Sequence, residues 1–286
     1  MKNLVFAFAL LCSTSLVAQF SFNENGTGIQ SSTNTASGYS STAMGAETIA
    51  SGQFSTAMGS TSEASGIAST AIGDQVDATG NHSTALGFYT TASGHSSTAL
   101  GFGSTASGKY GATALGSHTI ARGHTSTAIG NYTTAEDIYS FIIGVHNKTD
   151  ETPNPENFSF QNTAFVIGNG GHDSEGNYVG TSDTFSNAFV VLFDGTTTIA
   201  GDLNINSDAR RKANIISLGA NLSKPLQIDG KTYTMKKDAN HKKKIGLLAQ
   251  DIEKVFPELV TETNDIKSVN YQGLVPVLIN AMKEQQ

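Results

Sequence analysis

Side chains able to do chemistry are sparse in this chain, and the densest run is Ser207-Asp208-Ala209-Arg210-Arg211-Lys212-Ala213-Asn214. Taken alone, Ser207-Asp208 reads as a helix N-cap followed by basic residues, because short oxygen side chains accept the first unpaired N–H groups of a helix. The histidines could bind metal. However, His95 and His124 directly follow a recurring glycine, and His82 sits one residue further on. The equivalent post-glycine positions hold Tyr39, Gln53, Ile67, Asn81 and Lys109, and a position so variable within one chain is a solvent-facing turn. No His, Cys or carboxylate set recurs at ligand spacing, so neither metal nor cofactor is expected. No paired acids and no Ser/His/Asp order stand out, so nothing supports a hydrolase acting on outside substrates. Lys242, Lys243 and Lys244 lack interleaved aromatics and read as a solvated loop, so no nucleic-acid partner is expected.

The elements that must position these groups come from a repeat. Glycine falls at 38, 45, 52, 59, 66, 73, 80, 87, 94, 101 and 108; one extra residue near Gly111 shifts the frame, and the series resumes at 116, 123 and 130. Two half-repeats alternate, STAxG-like and xASG-like, so the unit is fourteen residues. A period this strict means stacked identical units, each burying its apolar side against its neighbours. Fourteen residues are too few for a helical pair, so two short strands per coil and glycine at the turns predict a narrow β-solenoid. STAxG puts Thr and a large apolar residue on one strand face. That predicts a buried ladder of Met44, Met58, Ile72, Leu86, Leu100, Leu115 and Ile129. A calcium-binding roll would need a period of nine with aspartates in its turns. An ice-binding face would carry Thr at both i and i+2. One apolar ladder and small alanines make a thin core, which association of several chains would complete.

Over residues 30–135 this unit resembles the head repeat of YadA-like trimeric autotransporter adhesins. The resemblance implies a left-handed parallel β-roll, three of which pack around an axis as a homotrimer. The membrane-anchoring barrel of those adhesins is not visible at this C-terminus, so no transmembrane anchor is expected.

Charge divides the chain. Residues 207–286 carry 13 Lys/Arg against 9 Asp/Glu, and the preceding residues carry 4 against 15. A boundary near residue 207 follows. Charged residues are only 14% of the chain and Trp is absent, which suits a regular all-β repeat better than a compact enzyme. Lys2, the apolar Leu4 to Leu11 and the small-residue exit at Ser15-Leu16-Val17-Ala18 read as a secretory signal over 1–19. Cys12, the lone cysteine, lies inside that signal, which leaves no disulfide for the mature chain. The expected location is therefore secreted or cell-surface. Residues 136–206 read as a β-rich transition module with a hairpin turn at Asp194-Gly195, in which Phe158, Phe160, Phe185 and Phe189 are packing residues.

In the last 80 residues, Leu248, Ile252, Val255, Phe256 and Leu259 predict a helix ended by Pro257. Val269 to Tyr271 predicts a strand, and Leu274 onward a second helix with Pro276 in its first turn. The pair SDARRKANI and IGLLAQDIEKVFPELV resembles the intramolecular chaperone domain of endosialidases and other phage tail spikes, a self-cleaving peptidase family, over nearly all of residues 207–286. The resemblance implies a small α+β domain and a catalytic dyad of Ser207 and Lys212. It marks Asp208, Arg210 and Asn214 as supporting positions and the Asn206–Ser207 bond as the cleavage site. A serine hydroxyl needs a base, and a lysine amine serves once burial and nearby cations, here Arg210 and Arg211, favour its neutral form.

The expectation is thus an exported trimeric surface fibre, adhesin-like, whose C-terminal domain assists assembly and cuts itself off. The alternatives are a purely structural fibre with an inactive chaperone domain, or a prophage tail fibre, against which the signal peptide argues. The repeat faces give no ligand code, so what the fibre binds, whether a host surface or a glycan, is not legible in the sequence.

Overall fold

In the repeat region every fourteen residues close one coil made of a five-residue strand and a two-residue strand. The computed structural model describes residues 20–22, 29–31, 33–173, 175–219, 222–236 and 241–285. These form two compact units, 1–203 and 204–286. The expected signal, with Cys12, lies outside the described residues. Long strands such as Thr84–Phe88 and Thr98–Phe102 pair in parallel, with Ala85 opposite Ala99 and Gly87 opposite Gly101. Short strands such as Thr91–Ala92 and Thr105–Ala106 stack in a second parallel sheet of eight strands. The chain is therefore mainly β, a solenoid followed by a small C-terminal α+β region.

The inside of the coil differs from the expectation in one respect. Ala43, Ala57, Ala71, Ala85, Ala99, Ala114 and Ala128 from the long strands, with Ala50, Ala64, Ala78, Ala92, Ala106, Ala121 and Ala135 from the short ones, are fully buried. Met44, Met58, Ile72, Leu86, Leu100, Leu115 and Ile129 are only half-buried and share the outward face of the long strands with Thr42, Thr56 and their equivalents. The reason is spatial. Two facing strands of one short coil lie closer than the ~10 Å of stacked sheets, so alanine fills the inward strand positions along the repeat, and larger side chains take the inward long-strand position only where the repeat ends, at Ile142 and Val166. Serine at the corners suits the same confined space: the Ser41 and Ser69 hydroxyls donate to the carbonyls of Gly38 and Gly66 three residues back.

Glycine is required where coils approach most closely. Gly87 sits at φ +131°, and a Cβ there would overlap the carbonyl oxygen of Gly101 on the next coil. Two residues after each repeat glycine except Gly108 the backbone turns left-handed even without glycine, as at His82 (φ 58°), Tyr89 (φ 54°) and Tyr132 (φ 52°). That conformation points each N–H along the stack: His82 N donates to Ile67 O at 2.7 Å and Tyr132 N to Ser117 O at 2.8 Å.

The stack continues past residue 135. Phe141–Val145 and Thr163–Asn169 extend the long-strand sheet in parallel, and Asn187–Leu192 and Thr197–Ile199 then close it antiparallel. The last pair is joined through Asp194-Gly195, where Gly195 takes φ 84°. The amide of Asn147 caps the short-strand sheet, accepting from Thr134 N at 2.7 Å and donating to Thr134 O at 3.0 Å. That pairing covers an edge otherwise open to another strand.

Residues 204–286 hold two small hairpins, Lys231–Tyr233 with Lys244–Gly246 and Val260–Thr263 with Ile266–Val269. Two helices follow the expected periodicities, α1 (Ala249–Val255) and α2 (Leu274–Glu284). The expected strand at 269–271 ends at Val269, and Tyr271–Gly273 instead forms a 3-10 turn. Pro257 starts another 3-10 turn rather than continuing α1, because it has no N–H to donate. The core is small: Ile252, Phe256 and Val277 are buried, with Leu247, Leu259 and Val269 packed around them.

Candidate functional site

The segment carrying Ser207 is held by its own polar side chains. Asp208 caps the single 3-10 turn Ala209–Arg211 by accepting from Arg210 N at 2.9 Å. The Arg210 guanidinium folds back onto the same carboxylate, with Nε 3.1 Å from each oxygen. Hydrogen bonds from Arg210, its side chain first and its backbone N–H second, hold the Asp208 carboxyl below the usual carboxylate range. Asp208, rather than Ser207, is therefore the capping residue.

With Asp208 absorbed in the turn, Ser207 is left facing Lys212. Lys212 Nζ donates to Ser207 Oγ at 2.6 Å. The turn produces this contact: residue 212 is its C-cap, in extended backbone, and the long lysine side chain reaches back five residues. Asn214 follows at φ 55°, in the left-handed region that asparagine tolerates better than most residues. Its position in the motif thus has a backbone explanation, since it turns the chain as it leaves the Ser–Lys segment.

Two expectations about activation are not met within one chain. Ser207 and Lys212 are both exposed, so burial does not desolvate the amine. Arg210 is also not a free neighbouring cation, because Asp208 neutralises it, so only Arg211 of the expected pair is left. A serine hydroxyl hydrogen-bonded to a lysine amine is a nucleophile–base pair in the right geometry. It lacks a dry surrounding, which a second surface would have to supply.

The clearest feature that sequence reasoning missed is His146. It is fully buried, and neither ring nitrogen has a hydrogen-bond partner among the described residues. Its ring lies between Tyr132 (4.6 Å, near-parallel), Phe185 (4.8 Å) and Tyr178 (5.4 Å). Burial, and secondarily the charge of His172, push its pKa below the ordinary histidine value. The ring extends a column of His118 and Tyr132 up one corner of the solenoid. A signal for it existed in the sequence, since His118, Tyr132 and His146 recur every fourteen residues. Phe185 and Phe189 pack as expected, against His146 and Phe165, whereas Phe158 and Phe160 remain 48% and 38% exposed.

Comparison with known proteins agrees with both halves of this description. Residues 36–141 match overlapping copies of the YadA head domain repeat, and residues 207–261 match the chaperone of endosialidase family, Peptidase S74. The long tail fiber protein Gp37 of Salmonella phage S16 is 32% identical over 99 residues, covering 31% of this chain. The matched stretch spans 13% of that protein's own length.

Proposed function

This chain joins YadA head repeats to an endosialidase-type chaperone domain, and we propose that it is an exported fibre protein that assembles as a homotrimer and then cleaves its chaperone domain away between Asn206 and Ser207. The observation that carries the reading is the 2.6 Å hydrogen bond from Lys212 to Ser207 within the matched chaperone motif. Lys212 takes the hydroxyl proton as Ser207 Oγ attacks the carbonyl carbon of Asn206. The C–N bond then breaks, the proton passes to the departing Ser207 amine, and an ester links Asn206 to Oγ. Water hydrolyses that ester, leaving a new carboxylate on Asn206 and a free N-terminal serine.

Assembly is supported by apolar surface that one chain leaves uncovered. On the solenoid it is the half-buried ladder from Met44 to Ile129. In the C-terminal unit, Val275, Leu278, Ile279 and Met282 line the outer side of α2, and Ile216 and Ile245 are each 84% exposed. Such surface belongs at protein interfaces. A chaperone that trimerises first would also fix the register, because identical coils make a one-coil slip cheap. Association would exclude water from the exposed dyad and so couple cutting to assembly, and loss of the chaperone would make the fibre kinetically trapped. A surface or extracellular place fits the head repeats and the tail-fibre relative. No helix among the described residues is long and apolar enough to cross a membrane. Intact-mass measurement of the recombinant chain across a dilution series is the test. Cleavage should appear only at concentrations where sedimentation shows a trimer; a monomer that stays uncut and folded at every concentration would refute the proposal.

A further inference from the structure

The solenoid departs from strict periodicity in two places, and both departures meet at one groove. The first is the extra residue near Gly111, which makes the coil from Gly108 to Gly123 one residue longer than its neighbours and brings out Lys109 and Tyr110. His95 N donates to Lys109 O and Gly111 N to His95 O, at 3.1 and 2.8 Å, so this bulge is held in the stack rather than looped away. The second is the excursion over residues 146–162 between two adjacent long strands. Asp137 staples it by accepting from Asn154 N and Thr163 N, both at 2.7 Å. The excursion then reaches back one coil, where His124 N donates to Pro155 O at 2.8 Å.

Between the bulge and the excursion lies an open groove of about 440 Å³, the size of sites that hold small molecules. Ser93, Ser107, Lys109, Arg122, His124 and Glu156 are among its walls. Residues 1–206 contain only four Lys/Arg against 15 Asp/Glu, and two of the four, Lys109 and Arg122, converge here. Arg122 is ion-paired with Glu136 through one amino group at 2.9 Å and is half-exposed, so its other donors stay available. The exposed ring of Tyr110 lies between those of His95 and His124, at 5.7 and 5.3 Å. His124 Nε2 is buried without a hydrogen-bond partner among the described residues. Ser93, Ser107 and Arg122 directly follow the short strands, so the groove opens away from the Met/Leu/Ile ladder of the long strands.

We propose that this groove is a binding site for an acidic saccharide, whose anionic group pairs with Lys109 and Arg122 while its hydroxyls meet Ser93 and Ser107 and a sugar face packs on Tyr110. In a repeat protein, departures from the unit concentrate on the binding face. Lys109, which has no carboxylate partner among the described residues, and the donors of Arg122 not taken by Glu136 favour a single anionic group in an otherwise acidic shaft; the serine hydroxyls, with Tyr110 beside Lys109 at 5.8 Å, suit a sugar, and Glu136 and Glu156 disfavour further negative charge.

The test is titration calorimetry on the full chain with four probes: a glucuronate-containing disaccharide, a sulfated disaccharide, their neutral counterpart, and inorganic sulfate. Binding of one or both acidic disaccharides, with no heat from the neutral sugar or sulfate alone, is expected, and the two acidic arms separate carboxylate from sulfate recognition. Lys109→Ala with Arg122→Ala should weaken binding at least tenfold with an unchanged melting curve, and Tyr110→Ala several-fold. Glu156→Gln should bind as well as wild type or better. Equal binding of the neutral sugar, no binding of either acidic sugar at millimolar concentration, or affinity insensitive to the double substitution would each overturn the proposal.

Discussion

Lys212 Nζ and Ser207 Oγ lie 2.6 Å apart, across a turn in which Asp208 and Arg210 are occupied with each other. The arrangement separates two jobs within six residues. One ion pair shapes the backbone, and the remaining hydroxyl and amine are left to react.

Ser207→Ala removes the nucleophile, and Lys212→Arg keeps the charge and reach but substitutes a group that does not give up its proton. Both should abolish cutting, by about 10³-fold or more in rate. Both should leave full-length trimers of lower resistance to detergent and heat. Intact mass and gel mobility read the result, and normal cleavage in Lys212→Arg would remove lysine from the role of base.

Asp208→Asn keeps a capping oxygen but loses the ion pair with Arg210. Asn214→Gly keeps the left-handed turn, whereas Asn214→Val cannot adopt it without strain of about 1–2 kcal/mol. Cleavage rates should therefore rank wild type close to Asn214→Gly, with Asn214→Val about tenfold slower or worse. A Val variant that cuts normally would show that the turn at 214 does not position the dyad.

Gly87→Ala puts a methyl group where Gly101 O lies and forces φ +131° on an L-residue. The coil should lose about 3 kcal/mol or more, seen as a lowered thermal midpoint by circular dichroism. Ala68→Gly, at a left-handed corner of φ 52°, should by contrast be neutral or mildly stabilising.

His146 favours its neutral form in the folded state, so the folded chain binds fewer protons than the unfolded chain once pH falls below about 6.5. This contribution to stability is complete above that pH and is lost as pH falls through the depressed folded value. Tyr132, Tyr178 and Phe185 pack around the ring, and no carboxylate among the described residues pairs with it. His146→Phe should flatten the acid side of the profile and raise stability at neutral pH by about 1 kcal/mol, since two orphaned ring nitrogens disappear. Melting at pH 8 and pH 5 decides it; an unchanged slope would place the titration elsewhere.

Much of the molecule was legible before any coordinate. Glycine every seventh residue, with STAxG alternating with xASG, determines a coil of fourteen residues, because a step of seven would align the glycines but only a step of fourteen stacks each half-repeat on its own kind. The breaks at Pro257 and Leu274 set the helices of the C-terminal unit by local backbone chemistry. Tertiary structure decided what alternation cannot express. The parity of STAxG puts Ala on one face and Thr with Met, Ile or Leu on the other, and hydrophobicity alone favours the larger residue inside. The narrow gap between the two facing strands of a repeat coil suits the methyl of alanine, so the ladder turned outward. Likewise the resemblance named Ser207 and Lys212 as partners, but only the folded turn showed them in contact and exposed. The groove at Lys109, Arg122 and Glu156 joins residues far apart in sequence, because stacking brings every fourteenth residue together and a returning loop supplies the rest.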